Sequence, residues 1–407
     1  MGTRRRAGKA VVVAALLCAG SRAAASVQVE PIARLTLEGG YDSNVMYDGQ
    51  GAGMGRVSPD LGLQLRNHTW SFGAVVGGDL LTYPNRSAAP PVAGAPAASP
   101  GSNTLWNQRG NLLLHMRPDP RLKIDAEAAA TYAFDPVGLA RLGIFEGTPG
   151  EHRSGWVVTG SARGAWRLDH DWTVAGTFAD RIVHFDRPAA DPLAAPGATV
   201  DPGSLGAASF TPGVEVARRL GHRLEVGGAY KFDWFQEFGG DVANATAHEL
   251  QGVVRWRSSR RWTFEATAGP TIWNPGGGGA VQVVPQASAQ LLGGNRHGDV
   301  RFTLRHGVGL GLLAKPGLFD ALEAAATWNV TRKFQLHADG GLWRSGDIPW
   351  GANAITGYGV NADASYLVGA GVRVGVGGSR FARADSGPSL FDRNIVGLRV
   401  AWELRHR

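Results

Sequence analysis

The chain has 407 residues, with 41 Lys and Arg against 34 Asp and Glu, one Cys and a mean hydropathy of −0.12. Residues 1–25 hold five of the basic residues and none of the acidic ones, so the formal charge of +7 falls to 36 against 34 beyond them and gives a nucleic-acid partner no support. A single Cys excludes a disulfide framework, and no stretch reaches the roughly 20 apolar residues of a transmembrane helix.

At the N-terminus, Arg4, Arg5, Arg6 and Lys9 precede an apolar run from Ala10 to Ala19, then Ala23, Ala24 and Ala25 ahead of Ser26. This order predicts a secretory signal peptide over 1–25 and a single domain over 26–407. Cys18 lies within the predicted signal, and Leu17 before it is too large for a usual lipoprotein cleavage site, so no lipid anchor is expected.

Eighteen segments then alternate apolar and polar residues, at about 32–41, 56–66, 69–81, 105–117, 121–134, 155–167, 171–184, 207–219, 222–235, 246–257, 261–273, 280–292, 299–312, 319–330, 333–344, 357–367, 370–381 and 391–405. Period-two alternation turns opposite faces of a strand to opposite environments. The connections alternate too. Short ones fall at Asn67-His68, Pro118 to Pro120, Leu168 to His170, Gly221, Ser258 to Arg260, Gly294 to Gly298, Thr331-Arg332 and Val368-Gly369; long ones include 84–104, 135–154 and 185–206. The pattern predicts an all-β, transmembrane, up-and-down antiparallel β-barrel of about 18 strands with periplasmic termini in the outer membrane. A soluble propeller would repeat every four strands, whereas the repeat here is of two.

Three hairpins carry aromatics six residues apart around a polar turn: Trp166 and Trp172, Trp256 and Trp262, Trp328 and Phe334. With Trp70 and Trp402 they are placed in a girdle beside the short turns. Tyr41, Trp106, Tyr132, Trp156, Phe210, Trp234, Trp273, Tyr358 and Phe391 are placed toward the long loops. Two aromatic rings with small residues between them fit a bilayer better than a globular core.

On the opposite face, the expected lumen-lining set is Arg34, Glu38, Asp79, Arg109, Asp125, Glu127, Arg163, Glu215, Glu225, Glu249, Arg255, Arg301, Arg305, Glu323, Asp339, Asp363, Arg373 and Arg399. A mixed lining suits hydrated cargo that is uncharged or weakly charged. The same charges can instead pair across strands and hold the wall together. Few aromatics are expected inside, and His184 and His306 fall on outward positions.

Residues Gly39-Gly40-Tyr41-Asp42-Ser43-Asn44-Val45 end the first segment. They resemble the Gly-Tyr-Asp-(Ser/Asp)-Asn-Val signature of outer-membrane barrels associated with exopolysaccharide and exosortase gene clusters. The chain also resembles eighteen-stranded barrels that pass polysaccharide outward with periplasmic polysaccharide-export proteins. The resemblance implies a polysaccharide cargo, those periplasmic partners and outer-membrane lipid around the barrel. Read from the residues themselves, Tyr41 belongs at the outer interface, and Asp42 and Asn44 favour a tight turn. The C-terminus departs from the usual final aromatic, since Trp402 is followed by Glu403 to Arg407.

No catalytic residue, metal site or cofactor is expected. Gly49 to Gly55 is glycine-rich without the Lys and Ser or Thr of a phosphate loop and reads as a flexible loop. Asp42 to Asn44 begins like a calcium loop, but Met46 fills the next ligand position and no Glu follows at the twelfth. The expected function is a passive polysaccharide-export channel. The alternatives are a general porin for small solutes and a barrel-anchored surface enzyme or adhesin.

Overall fold

The computed structural model describes residues 27–43, 51–84, 104–133, 155–185, 206–238, 244–310, 316–346, 355–384 and 392–404. The predicted signal peptide, Asn44, Val45, Met46 and Phe391 lie outside the described residues. Eighteen strands run in chain order: β1 (Gln28–Asp42), β2 (Ala52–Arg66), β3 (Trp70–Thr82), β4 (Thr104–Asp119), β5 (Leu122–Ala133), β6 (Gly155–Arg167), β7 (Trp172–Phe185), β8 (Gly206–Arg219), β9 (Leu224–Glu237), β10 (Ala245–Arg257), β11 (Trp262–Asn274), β12 (Gln282–Asn295), β13 (Gly298–Leu310), β14 (Pro316–Asn329), β15 (Phe334–Gly346), β16 (Ile355–Gly369), β17 (Val372–Ala384) and β18 (Arg393–Glu403). Each pairs antiparallel with its sequence neighbours, and β1 also pairs with β18, so the sheet closes into an up-and-down barrel. A strand of about 13 residues tilted by about 40° rises roughly 33 Å, enough to cross a bilayer's apolar band. The first and last described residues lie at the end that carries the short turns, as an even strand number requires.

The periodicity locates every strand and misplaces some ends. β1 and β2 pair along their whole length, from Gln28 opposite Arg66 to Asp42 opposite Ala52, so Ala52 to Gly55 of the glycine-rich run is strand and not loop. A run of Gly and Ala shows no alternation to read, while backbone pairing extends through it regardless. Gly294 likewise stays in β12 and Val368-Gly369 in β16, which moves the turns to Arg296-His297 and Ala370-Gly371.

Six of the eight short turns share one local device, and the other two, at Gly221 and Ala370-Gly371, use positive φ instead. A polar side chain at the first turn position accepts backbone N–H groups two and three residues on: Asn67 from Thr69 and Trp70, Asp169 from Asp171 and Trp172, Thr331 from Lys333 and Phe334. Asp119, Ser259 and Asn295 accept from the second residue alone. This Asx or Ser/Thr turn reverses the chain without glycine. In the three fuller cases the third residue is an aromatic, so the same bond that forms the turn fixes where the girdle starts.

The amides of Trp172 and then Asp171 hold the exposed Asp169 carboxyl below its ordinary pKa. Its contribution to the turn is complete above the ordinary carboxylate value and is lost as the pH falls through the depressed one. Amide protection at Asp171 and Trp172 should accordingly persist well into acid and then collapse, whereas Asp169→Ala should lack it at every pH. At the β16 to β17 turn Ala370 has φ 43° beside Gly371 at φ 81°, and a side chain at positive φ costs about 1 kcal/mol. Ala370→Asn, which tolerates that region, should stabilise the barrel by about 0.5–1 kcal/mol, read as a later heat-induced mobility shift in detergent.

Candidate functional site: the polar interior

Outward positions are apolar and bare, with Leu61, Val76 and Leu398 each more than 60% exposed. Tyr41, Trp106, Trp156, Trp166, Trp172, Trp256, Trp262, Trp328 and Trp402 are exposed on this outer face, and Trp70 and Phe334 lie on it half-exposed. They form one ring beside the short turns and another toward the opposite mouth. There Tyr132 packs on Trp156 at 5.0 Å and Phe210 stacks on Trp234 at 5.5 Å. A closed barrel with an apolar waist between aromatic rings is an outer-membrane barrel in contact with lipid. Trp262 covers Gly293, where a Cβ would overlap the indole, so that glycine makes room for the girdle.

Trp273 corrects the expected outer ring: it points inward, 4% exposed, edge-on to Phe235 at 5.6 Å. It stands an odd number of residues from Trp262 in the same strand, and an odd step changes face. Other aromatics join it inside near the mouth opposite the short turns: Tyr83, Phe319, Trp343 and Phe381, all buried. The expectation of few inward aromatics therefore fails there. His184 and His306 do face outward, His306 with Nδ1 2.6 Å from Asp320 Oδ1.

All eighteen expected lumen residues project from the inner face, and cross-strand pairing ties seven of them into two ladders. On β1 to β4, Arg56 contacts Glu38 at 3.4 Å and Asp79 at 3.0 Å, while Arg109 contacts Asp79 at 2.9 Å and Asp60 at 2.6 Å. On β6 to β11, Arg255 holds Glu215 at 2.5 Å, Glu225 at 2.8 Å and Glu265 at 2.9 Å, and Arg163 adds a second contact to Glu215 at 3.0 Å. Each ladder thus sets two guanidinium groups among three carboxylates, each Arg using its planar fork to bridge strands.

The remaining charges are more loosely held. Arg34 pairs with Glu403 at 2.9 Å, Arg305 with Glu323 at 3.5 Å and Arg399 with Asp363 at 4.0 Å. Asp125 takes Lys123 and His115, Asp339 takes His337 and Asn361, and Glu249 accepts from the Gln251 amide. Among the described residues Arg301, Arg373 and Glu127 form no ion pair. Beyond Glu265 the wall between β11 and β12 continues through uncharged polar contacts, with Thr267 bonded to Ser288 and Thr271 donating to Gln286. Asp60, Arg109, Arg163, Glu215 and Arg255 border one cavity of about 1020 Å³, so both ladders face the same space. Alternation alone does not single out Arg56, Asp60, Glu265 or Arg393, because it gives the face of a residue and not its register against the next strand.

The Gly39 to Val45 signature has a structural use. Tyr41 faces outward, as expected. Asp42 makes no turn: fully buried on the inner face, it receives Arg393 Nε at 2.9 and 3.0 Å and Nη2 at 2.5 Å, with the Tyr83 hydroxyl at 3.1 Å. Ser43 N donates to Asn394 O at 2.9 Å and Asn394 N to Ser43 Oγ at 2.8 Å. The motif therefore joins the end of β1 to the start of β18, where the barrel closes.

No family model matches the chain, and no curated protein matches it. Among solved structures it is similar to a BenF-like porin from Pseudomonas fluorescens Pf-5, at 12% identity and a TM-score of 0.43 over 92% of this chain and 98% of that one. It is also similar to Pseudomonas aeruginosa OpdK with vanillate, at 13% identity and 0.41 over 92% and 98%. Acinetobacter baumannii OccAB2 stands at 9% identity and 0.41 over 93% and 98%. No residue of this chain takes a role from them.

Removing one partner of a buried ion pair leaves the other uncompensated, at a cost of about 3–5 kcal/mol. Asp42→Asn and Arg393→Met should each lower the heat-modification midpoint sharply. The double variant should lose less than the sum of the two, a coupling that a double-mutant cycle measures directly.

Proposed function

We propose that the barrel is a passive conduit for small hydrophilic solutes, with residues 1–25 directing its export. The observation that carries this reading is the pair of ion-paired ladders facing one cavity in a barrel of 18 strands, a size at which closed barrels leave an aqueous passage. The ladders keep charge of both signs in the wall and leave no strong field of one sign along the path, which favours weakly charged cargo.

Two features weigh against the polysaccharide-export reading that the Gly39 to Val45 resemblance implies. Asp42 is consumed by the seam and offers cargo no contact. The inward aromatics that could stack on sugar rings, Tyr83, Phe235, Trp273, Phe319, Trp343 and Phe381, are all at most 6% exposed and packed in two clusters.

Reconstituted into liposomes, the protein should admit small neutral sugars that protein-free vesicles exclude, and vesicles that stay tight would defeat the proposal. A deletion strain that retains polysaccharide in the periplasm would restore the export reading. Arg255→Gln leaves three carboxylates facing the cavity without their shared cation. In planar bilayers it should shift the reversal potential several-fold toward cation preference, while Glu215→Gln shifts it the other way.

A further inference from the structure

Inside the barrel nearly every arginine meets a carboxylate, but the rim that carries the short turns does not follow that rule. The turn segments 218–223, 257–261, 296–299 and 332–333 join eight consecutive strands, β8 to β15, and hold nine Lys and Arg against one acid, Asp299. The segments 66–69, 117–121 and 167–171 on the other side hold four cations against three acids. All nine cations of the first group except Arg219 are exposed, and among the described residues none of the nine forms an ion pair. The rim therefore carries a one-sided basic crescent in which nine cations share one acid of their own, with Asp169 of the neighbouring turn acting on Arg218.

Its position relative to the girdle decides what neutralises it. The Arg218 guanidinium lies over the Trp172 ring at 5.6 Å, and the Lys333 ammonium lies over the Tyr366 ring at 6.0 Å. Both rings face outward beside the short turns, so these cations sit on the lipid side, at the height where the hydrocarbon gives way to headgroups. The anion available there is a phosphodiester. We propose that the crescent of β8 to β15 binds anionic phospholipid headgroups of the periplasmic leaflet. A basic residue at a membrane surface contributes about 1 kcal/mol toward anionic lipid, so each cation removed should weaken retention roughly fivefold.

The test uses the full barrel in nanodiscs of phosphatidylcholine mixed with phosphatidylglycerol, counting by native mass spectrometry the lipids kept on release. Phosphatidylglycerol should be enriched on the wild type, and rising salt during reconstitution should erase the enrichment. The variant R218S/R260S/R332S/K333S should lose it, while R66S/R117S/R121S/R167S, which removes as many cations from the other turns, should keep it. Heat-modifiable mobility identifies folded barrels in each preparation. Equal retention of the two lipids by the wild type would overturn the proposal, as would equal loss in both variants. So would capture of polyglutamate in detergent without any lipid preference, which would assign the crescent to an acidic protein partner. None of these readouts depends on what passes through the lumen.

Discussion

Hydrocarbon offers a strand edge no hydrogen-bond partner, so a membrane sheet survives only if its first and last strands meet. In this protein that meeting is the pairing of β1 with β18, from Arg34 opposite Glu403 to Asp42 opposite Ile395. Strands that far apart in sequence have no hairpin turn to set their register, and a slip of one residue would send apolar side chains inward and charges into lipid. Ion pairs mark both ends of the seam. Arg34 and Glu403 are 54% and 42% exposed and contribute little, whereas Arg393 and Asp42 are at most 1% exposed and act where a mismatch cannot be solvated. The buried pair therefore specifies the closure on which every other contact depends.

Once the sheet is closed, its inner face must hold many charges near one another, and the ladders are the solution. Arg56 reaches carboxylates on both neighbouring strands, and Arg255 does the same from β10 while also holding Glu215 two strands away. A guanidinium suits this role better than an ammonium because its donors lie in a fixed plane and engage two strands at once. The wall gains lateral stiffness from the same groups that keep the lumen wet. Structure and solvation are thus carried by one set of residues, so that wall-bracing and lumen-lining are the same role.

Much of this architecture is legible in the residues. Period-two alternation finds all eighteen strands and the face of each lumen charge, because burial on one side and water on the other leave a local mark. The marks that fail are those needing a second strand. Where Gly and Ala dominate, as at Ala52 to Gly55, alternation vanishes and only pairing with β1 defines the strand. The nearness of Trp273 to a long loop suggests the outer ring, but its odd spacing from Trp262 puts it on the other face. Asp42 carried a local turn signal, but its partner Arg393 is 351 residues away. The ladders are invisible for the same reason: a carboxylate and an arginine on adjacent strands are neighbours only in one register.

The distribution of charge along the barrel axis follows from how such a chain must cross the membrane. Connections at the outer mouth have to pass through hydrocarbon once, and each ion carried across without a partner costs several kcal/mol. The longer connections differ from the short turns in sign rather than in lacking charge: 135–154 and 185–206 hold six acids against three Arg, and Ser87 to Pro100 holds no charge. The short turns stay on the side from which the strands enter, so nothing opposes loading them with cations; nine collect in the turns of β8 to β15. Moving those turns through the bilayer would mean desolvating that whole crescent.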